Sequence, residues 1–190
     1  MNTTPYSFDK MWDLIVANYN SPDFSTALLI GIFWEETMFC NREQFKPGPA
    51  VGFGQVERST LTLINSLYLP KVAPGMQKLT PAGILGHDDQ SVKATGLYLI
   101  GLRRFGNNGN PMSKRAALEG YAGATNKSKV DQWLACERIL TDGKDADTET
   151  RVKALLAAKP NSAGVAQTVA AADSDDSSGD GTDSDDAEGV

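Results

Sequence analysis

The sequence predicts a mainly α-helical domain organised around a central buried helix and followed by a disordered acidic tail. Three observations carry this reading. Apolar residues recur at helical spacing in several segments, while the strict alternation of a half-buried strand is scarce. Residues 24–39 are apolar on nearly every side of a helix, which suits a position in the middle of a domain. From Pro160 the chain turns to Ala, Ser, Gly and Asp, with eight acids and no base in residues 173–190. So little apolar surface, set against so much like charge, cannot offset the entropy of ordering. The chain therefore divides into one folded domain over residues 1–159 and a tail over 160–190.

The elements follow in order. Phe8, Met11, Trp12 and Ile15 stand at i, i+3, i+4 and i+7, predicting a helix over residues 8–18 with Ser7 as its N-cap. Ser21-Pro22-Asp23 supplies a cap, a proline and an acid, and predicts the start of the central helix. Residues 40–55 contain Pro47, Gly48, Pro49, Gly52 and Gly54, too many breakers for a helix. A helix resumes near Ser59, with Leu61, Ile64 and Tyr68 on one face, and the proline- and glycine-rich residues 69–86 are expected to form a loop. Residues 90–105 are helical again, stopped by Gly106-Asn107. Shorter helices are expected at 113–121, 128–141 and 149–158, with Ser128 and Thr148 suited to their starts.

Charge and composition exclude several functions. The formal charge of −6 comes from the tail, since the remaining chain holds 18 bases against 16 acids. Its basic residues are scattered, without the concentrated stripe of a nucleic-acid binder. No run approaches the roughly 18–20 apolar residues of a membrane span. Residues 1–9 lack the basic and apolar regions of a secretory signal, so synthesis in the cytoplasm is expected. Cys40 and Cys136 make neither a disulfide framework nor a zinc site; they are two structural thiols or one bridge formed after export. The Asp clusters do not match a calcium loop. His87, the lone histidine, stands before Asp88-Asp89 and reads as a helix-entry turn rather than a metal ligand.

The chemistry is concentrated in Glu35 and Glu36, two carboxylates at the end of an otherwise apolar helix. An unpaired buried carboxylate is costly, so a core helix avoids one unless it is used. Helical spacing puts Glu36 on a face with Leu29, Ile32 and Phe33, and Glu35 nearer Leu28, Gly31 and Ile32. Burial and the negative end of the helix dipole both favour a protonated carboxyl, which glycoside cleavage requires. Simple exit of the helix into solvent would also place two glutamates there.

Neighbouring segments add to this. Glu36-Thr37-Met38-Phe39 is followed by Gly52-Phe53-Gly54-Gln55, then Asp88, Gly96-Leu97-Tyr98-Leu99, Phe105-Gly106 and Gly120-Tyr121-Ala122-Gly123. This order and spacing, over residues 24–140, resemble the soluble lytic transglycosylases and goose-type lysozymes. The resemblance implies a lysozyme-like fold and cleavage of the β-1,4 bond between N-acetylmuramic acid and N-acetylglucosamine in peptidoglycan. It makes Glu36 the catalytic acid and places Thr37, Phe53, Gln55 and Tyr121 among the substrate-binding residues. Two departures stand out: Gly54 replaces a usual Met, and Ala122 replaces an Asn.

A second carboxylate between the acid and the glutamine motif is reduced to Glu43, with Glu57 just beyond. A lone acid suits the transglycosylase route; a muramidase using Glu43 or Glu57, a chitin-directed glycosidase and a non-catalytic peptidoglycan-binding or adaptor module are the alternatives. No cofactor and no metal are implied. The expected partners are glycan strands and an immunity or delivery protein, with action at the cell wall or periplasm after delivery by a phage or a secretion machine. The tail lies beyond every motif, so removing residues 160–190 should leave specific activity on purified sacculi within a few-fold. Loss of nearly all activity with the fold intact would show that the tail builds part of the site.

Overall fold

The computed structural model describes residues 4–44, 48–106, 108–123, 126–141 and 147–157; the segment assigned to the acidic tail lies outside them. The described chain is mainly helical, as expected. Helix α1 (Phe8–Asn18) starts at Ser7, whose hydroxyl accepts the Lys10 N–H at 3.2 Å, and it buries Phe8, Met11 and Ile15. Ser21-Pro22-Asp23 does not start the next helix. The Ser21 hydroxyl instead accepts the Asp23 N–H at 3.1 Å, and the Asp23 carboxylate pairs with Arg104 at 2.7 Å. That local turn satisfies the groups a cap would have used.

Helix α2 (Thr26–Thr37) begins four residues later, capped by Ser25, and buries every residue from Ala27 to Phe33. It ends abruptly at two successive left-handed residues, Met38 (φ 52°) and Phe39 (φ 62°). Non-glycine residues adopt this conformation at a cost of about 1–3 kcal/mol each. Burial of the Phe39 ring, 5.1 Å from Trp34 and 6.3 Å from Phe8, offsets it. This sharp exit leaves Glu35 and Glu36 in the last turn.

The breaker-rich segment over residues 40–55 contains a short strand, β1 (Ala50–Val51), which pairs antiparallel with β2 (Val56–Glu57) just beyond it to make a small hairpin. Two-residue strands carry too few positions to display an alternation. Helix α3 (Arg58–Leu63) continues through a π-helical turn (Ile64–Tyr68) into α4 (Leu69–Val72). The wider turn comes just before Pro70, whose ring and missing N–H would break a regular helix. The expected loop over 69–86 also contains α5 (Pro81–Gly86), started by Thr80 accepting the Gly83 N–H at 3.0 Å and by Pro81 in the first turn. Proline and glycine there act as start and stop signals of one short helix. Helices α6 (Asp88–Phe105), α7 (Lys114–Ala122), α8 (Lys127–Thr141) and α9 (Thr148–Ala157) lie within two residues of their expected bounds.

Two apolar clusters form the core. The larger surrounds α2 and takes residues from α1, α7, α8 and α9; the smaller joins the hairpin, α3, the π turn and α5. Helix α6 contributes Val92, Leu99 and Leu102 to the first and Ala94 and Leu97 to the second, and so forms a common wall. Among the described residues no helix is long and apolar enough to cross a membrane. Cys40 and Cys136 are buried and not joined by a disulfide.

Helix α2 packs more extensively on α8 than any other pair of elements does. Gly31 makes this possible: a Cβ there would lie 3.1 Å from Cys136 Cβ and 3.3 Å from its Sγ. Gly31→Ala gains up to about 1 kcal/mol of helix propensity and meets a contact that must yield by a few tenths of an ångström. Gly31→Leu cannot be housed without parting the helices and should cost about 1–3 kcal/mol, read as a lowered denaturant midpoint. A leucine variant as stable as the parent would refute the close approach.

Candidate active site

A cleft of roughly 600 Å³ opens beside the end of α2, between the hairpin and the α7–α8 corner. Its walls include Glu36, Arg42, Gln55, Glu57, Tyr98, Tyr121 and Lys129, drawn from segments far apart in sequence. Three of the five expected site residues, Glu36, Gln55 and Tyr121, therefore meet at one surface. The other two do not: Thr37 is 1% exposed and Phe53 0% exposed, and neither lines the cleft.

These two residues build the wall instead of touching its surface. The Thr37 hydroxyl lies 3.1 Å from Phe33 O and 3.0 Å from Phe53 O. Phe53 N–H donates to the Ser91 hydroxyl of α6 at 2.7 Å, and its ring packs 5.6 Å from Phe33 and 5.9 Å from Tyr6. Both main-chain groups of Phe53 are thus met by side chains from α2 and α6. The hairpin loop is fastened to both helices, each bond contributing about 1 kcal/mol net. A hydrophobic side chain that anchors a loop and one that meets a sugar ring look alike in a sequence.

Gln55 follows in a left-handed conformation (φ 50°) and gives its amide N–H groups to Gly52 O at 2.9 Å and Arg42 O at 3.2 Å. The side chain closes the loop that carries it and presents that loop to the cleft. Glu57 also lines the cleft and accepts from the Ser59 hydroxyl at 3.2 Å. Glu43 pairs with Arg58 at 3.5 Å and does not line it. Asp88 is structural, taking the Tyr6 hydroxyl and, at 2.9 Å, the Asn41 amide at the start of α6. His87 forms the α5–α6 junction through its backbone, and the described residues hold no acid, His or Cys cluster fit for a metal.

Tyr121 donates its hydroxyl to the Gly54 carbonyl. Burial first, then the charge of Glu36, holds its phenol well above the usual range, so it remains a neutral donor. This contact accounts for Gly54. A Cβ at that position would run into both the Tyr121 and Thr95 hydroxyls, so the space another side chain would take is already filled. The Tyr98 ring packs against Tyr121 at a tilt, with centroids 5.4 Å apart, and its phenol is likewise raised by burial.

The cation in this site escaped the sequence reading. Lys129, in the first turn of α8, lies 3.1 Å from Glu36 Oε1 and 3.3 Å from Glu35 Oε1. Glu35 is not among the cleft-lining residues, and its second oxygen has no hydrogen-bond partner. Burial raises its carboxyl above the ordinary value, against the lowering effect of Lys129. Nearby Trp133 favours the charged form but falls short of a hydrogen bond. Lys129 itself is raised: burial works against its charge, and the two carboxylates outweigh that. The signal lay in the lysine heading the apolar stripe Trp133, Cys136 and Leu140 at i+4, i+7 and i+11, which turns its stem inward. Arg42, in the breaker-rich segment, had no such signal.

The chain matches no protein-family model, no curated protein and no solved structure. The role of Gly54 gives a direct test of the site geometry. Gly54→Ala should cost about 1–3 kcal/mol by displacing the buried hydroxyls. In a Tyr121→Phe background the same change should cost measurably less, because one obstructing oxygen is gone; a denaturant double-mutant cycle reads the coupling. Strict additivity would mean that Tyr121 does not fill the space beside Gly54.

Proposed function

We propose that residues 1–159 form a lysozyme-like peptidoglycan glycosidase that cleaves the bond between N-acetylmuramic acid and N-acetylglucosamine, with Glu36 as its general acid and lytic transglycosylation as its route. The observation that carries this reading is the meeting of Glu36, Gln55 and Tyr121 at one cleft, from the end of α2, the turn of the hairpin and, beyond the whole of α3 to α6, helix α7. Glu36 stands on the cleft wall, so a glycan strand lying there brings its bridge oxygen to that carboxyl.

Glu36 gives its proton to the leaving oxygen as the sugar–oxygen bond breaks. The substrate's N-acetyl oxygen supports the cation at the anomeric carbon. The 6-hydroxyl of the same sugar then attacks that carbon and returns its proton to Glu36, closing a 1,6-anhydro ring. No second carboxylate is required. Glu57, which also lines the cleft, supports a second reading, in which it activates water and the enzyme is a hydrolase. Glu43, outside the cleft and paired with Arg58, no longer suits that role.

Digestion of purified sacculi with mass analysis of the soluble fragments tests all of this at once. Anhydro ends, one water lighter than reducing ends, are expected; reducing ends alone would favour the Glu57 hydrolase. Glu36→Gln keeps the size of the side chain and removes the transferable proton. It should lower the rate by at least roughly 10²–10⁴-fold while melting near the parent temperature. Soluble fragments from neither protein, with binding to sacculi retained, would leave a binding module in place of an enzyme.

A further inference from the structure

Two adjacent glutamates on a helix point about 100° apart, so one ammonium can reach both only from a neighbouring element. Here it comes from α8, whose first turn lies beside the last turn of α2 because Gly31 lets the helices approach. Glu36 and Lys129 line the cleft, whereas Glu35 stands behind them with one oxygen on Lys129 and the other unpartnered. The side chains of Glu35 and Glu36 are 18% and 19% exposed, so neither is fully solvated. Lys129 from α8 reaches both carboxylates, the Tyr121 hydroxyl from α7 lies in the field of Glu36, and the Trp133 indole adds an N–H beside Glu35; Arg42 and Glu57 of the hairpin side line the same cleft as Glu36.

We propose that Glu35, Lys129 and Glu36 work as one charge-sharing unit, with Lys129 as the positioning residue for Glu36 and Glu35 as the fixed anchor of Lys129. The inference rests on the reading of Glu36 as the acid. With one proton between the two carboxyls, Lys129 balances the remaining charge and the unit is neutral; the reaction draws on the form in which Glu36 holds that proton. When Glu36 passes the proton to the leaving oxygen, the new carboxylate already has the ammonium 3.1 Å away. No group must be recruited from solvent at that moment, and such preorganised charge is what lowers a barrier in a partly dry site. The proton taken from the 6-hydroxyl restores the starting state. Without Glu35, the ammonium would face a protonated Glu36 with no counter-charge in a half-buried place, a costly arrangement.

The test is the pH dependence of kcat/KM on purified sacculi, in the full chain. Activity that requires a protonated acid falls as pH rises through its titration, so the alkaline limb reports the unit. Lys129→Met removes the cation and should move that limb up by about one pH unit. Glu35→Gln removes a neighbouring negative charge and should move it down, because Lys129 then serves Glu36 alone. Lys129→Arg keeps the charge and should leave the limb near its original place. A residue needed merely for packing would lower the rate without displacing the limb. Superimposable limbs for the parent and Lys129→Met, or no downward movement in Glu35→Gln, would overturn the proposal.

If the parent protein releases no fragments, the glycosidase reading fails, and carbon-13 NMR of the glutamate carboxyls decides the unit by itself. The coupled pair should titrate at higher pH in Lys129→Met than in the parent; an unmoved titration overturns charge sharing. Circular dichroism establishes that each variant is folded. Were Lys129→Met to unfold, Glu35→Gln and Lys129→Arg would still separate a sharing unit, which moves the limb in the first and holds it in the second, from a structural ion pair, which moves it in neither.

Discussion

The contact of α2 with α8 at Gly31 and Cys136 sets the geometry on which the rest of the domain depends. Glutamates at the end of an apolar helix can remain half-buried only if a cation reaches them, and the helix itself carries none. The missing side chain at Gly31 brings α8 close enough for Lys129 to supply it. The two helices run antiparallel there, so the same contact sets Trp133 beneath the carboxylates and the α7–α8 corner beside them. Widening that contact would part the helix carrying the two glutamates from the one carrying Lys129. Core packing and site electrostatics are therefore a single constraint.

A second line of contacts runs across the cleft. Phe105, Tyr68, Tyr98, Tyr121 and Trp133 follow one another at centroid separations of 5.4–6.5 Å and link the smaller apolar cluster to the larger. Aromatic rings serve here because each presents a rigid apolar body and, in Tyr121, a polar tip that is spent on the Gly54 carbonyl. On the hairpin side the wall is fixed through Phe53, gripped by α2 and α6 together. The site is thus held by elements of both clusters, with α6 between them.

The sequence was most informative where a pattern extends over many residues. The helical stripes of α1 and α6 and the all-round apolarity of α2 are legible because burial imposes a period. Short features escape that logic. The hairpin has two residues per strand, and α5 is shorter than two turns, so their prolines and glycines read as loop. Ser21 illustrates another limit: the residue types that cap a helix are those that form a local turn, and position alone separates them. Motif order led to the expectation that Glu36, Gln55 and Tyr121 share a surface, and they line one cleft, whereas Thr37 and Phe53, expected to touch substrate, are buried behind its wall. Lys129 stands 93 residues from Glu36 in the chain, and no local pattern announces a partnership at that distance.

The thiol beneath Gly31 carries one more implication. Cys136 is fully buried, and desolvation pushes its thiol up to about 12. The thiolate, which is the species that attacks oxidants and disulfides, is then scarce as well as sheltered. Cys40 is also buried, and the two sulfurs are not bonded to each other. No covalent crosslink therefore has to form for the helices to close, and the packing that seats the carboxylates needs no oxidant. The described domain is built to hold the same shape on either side of a redox boundary.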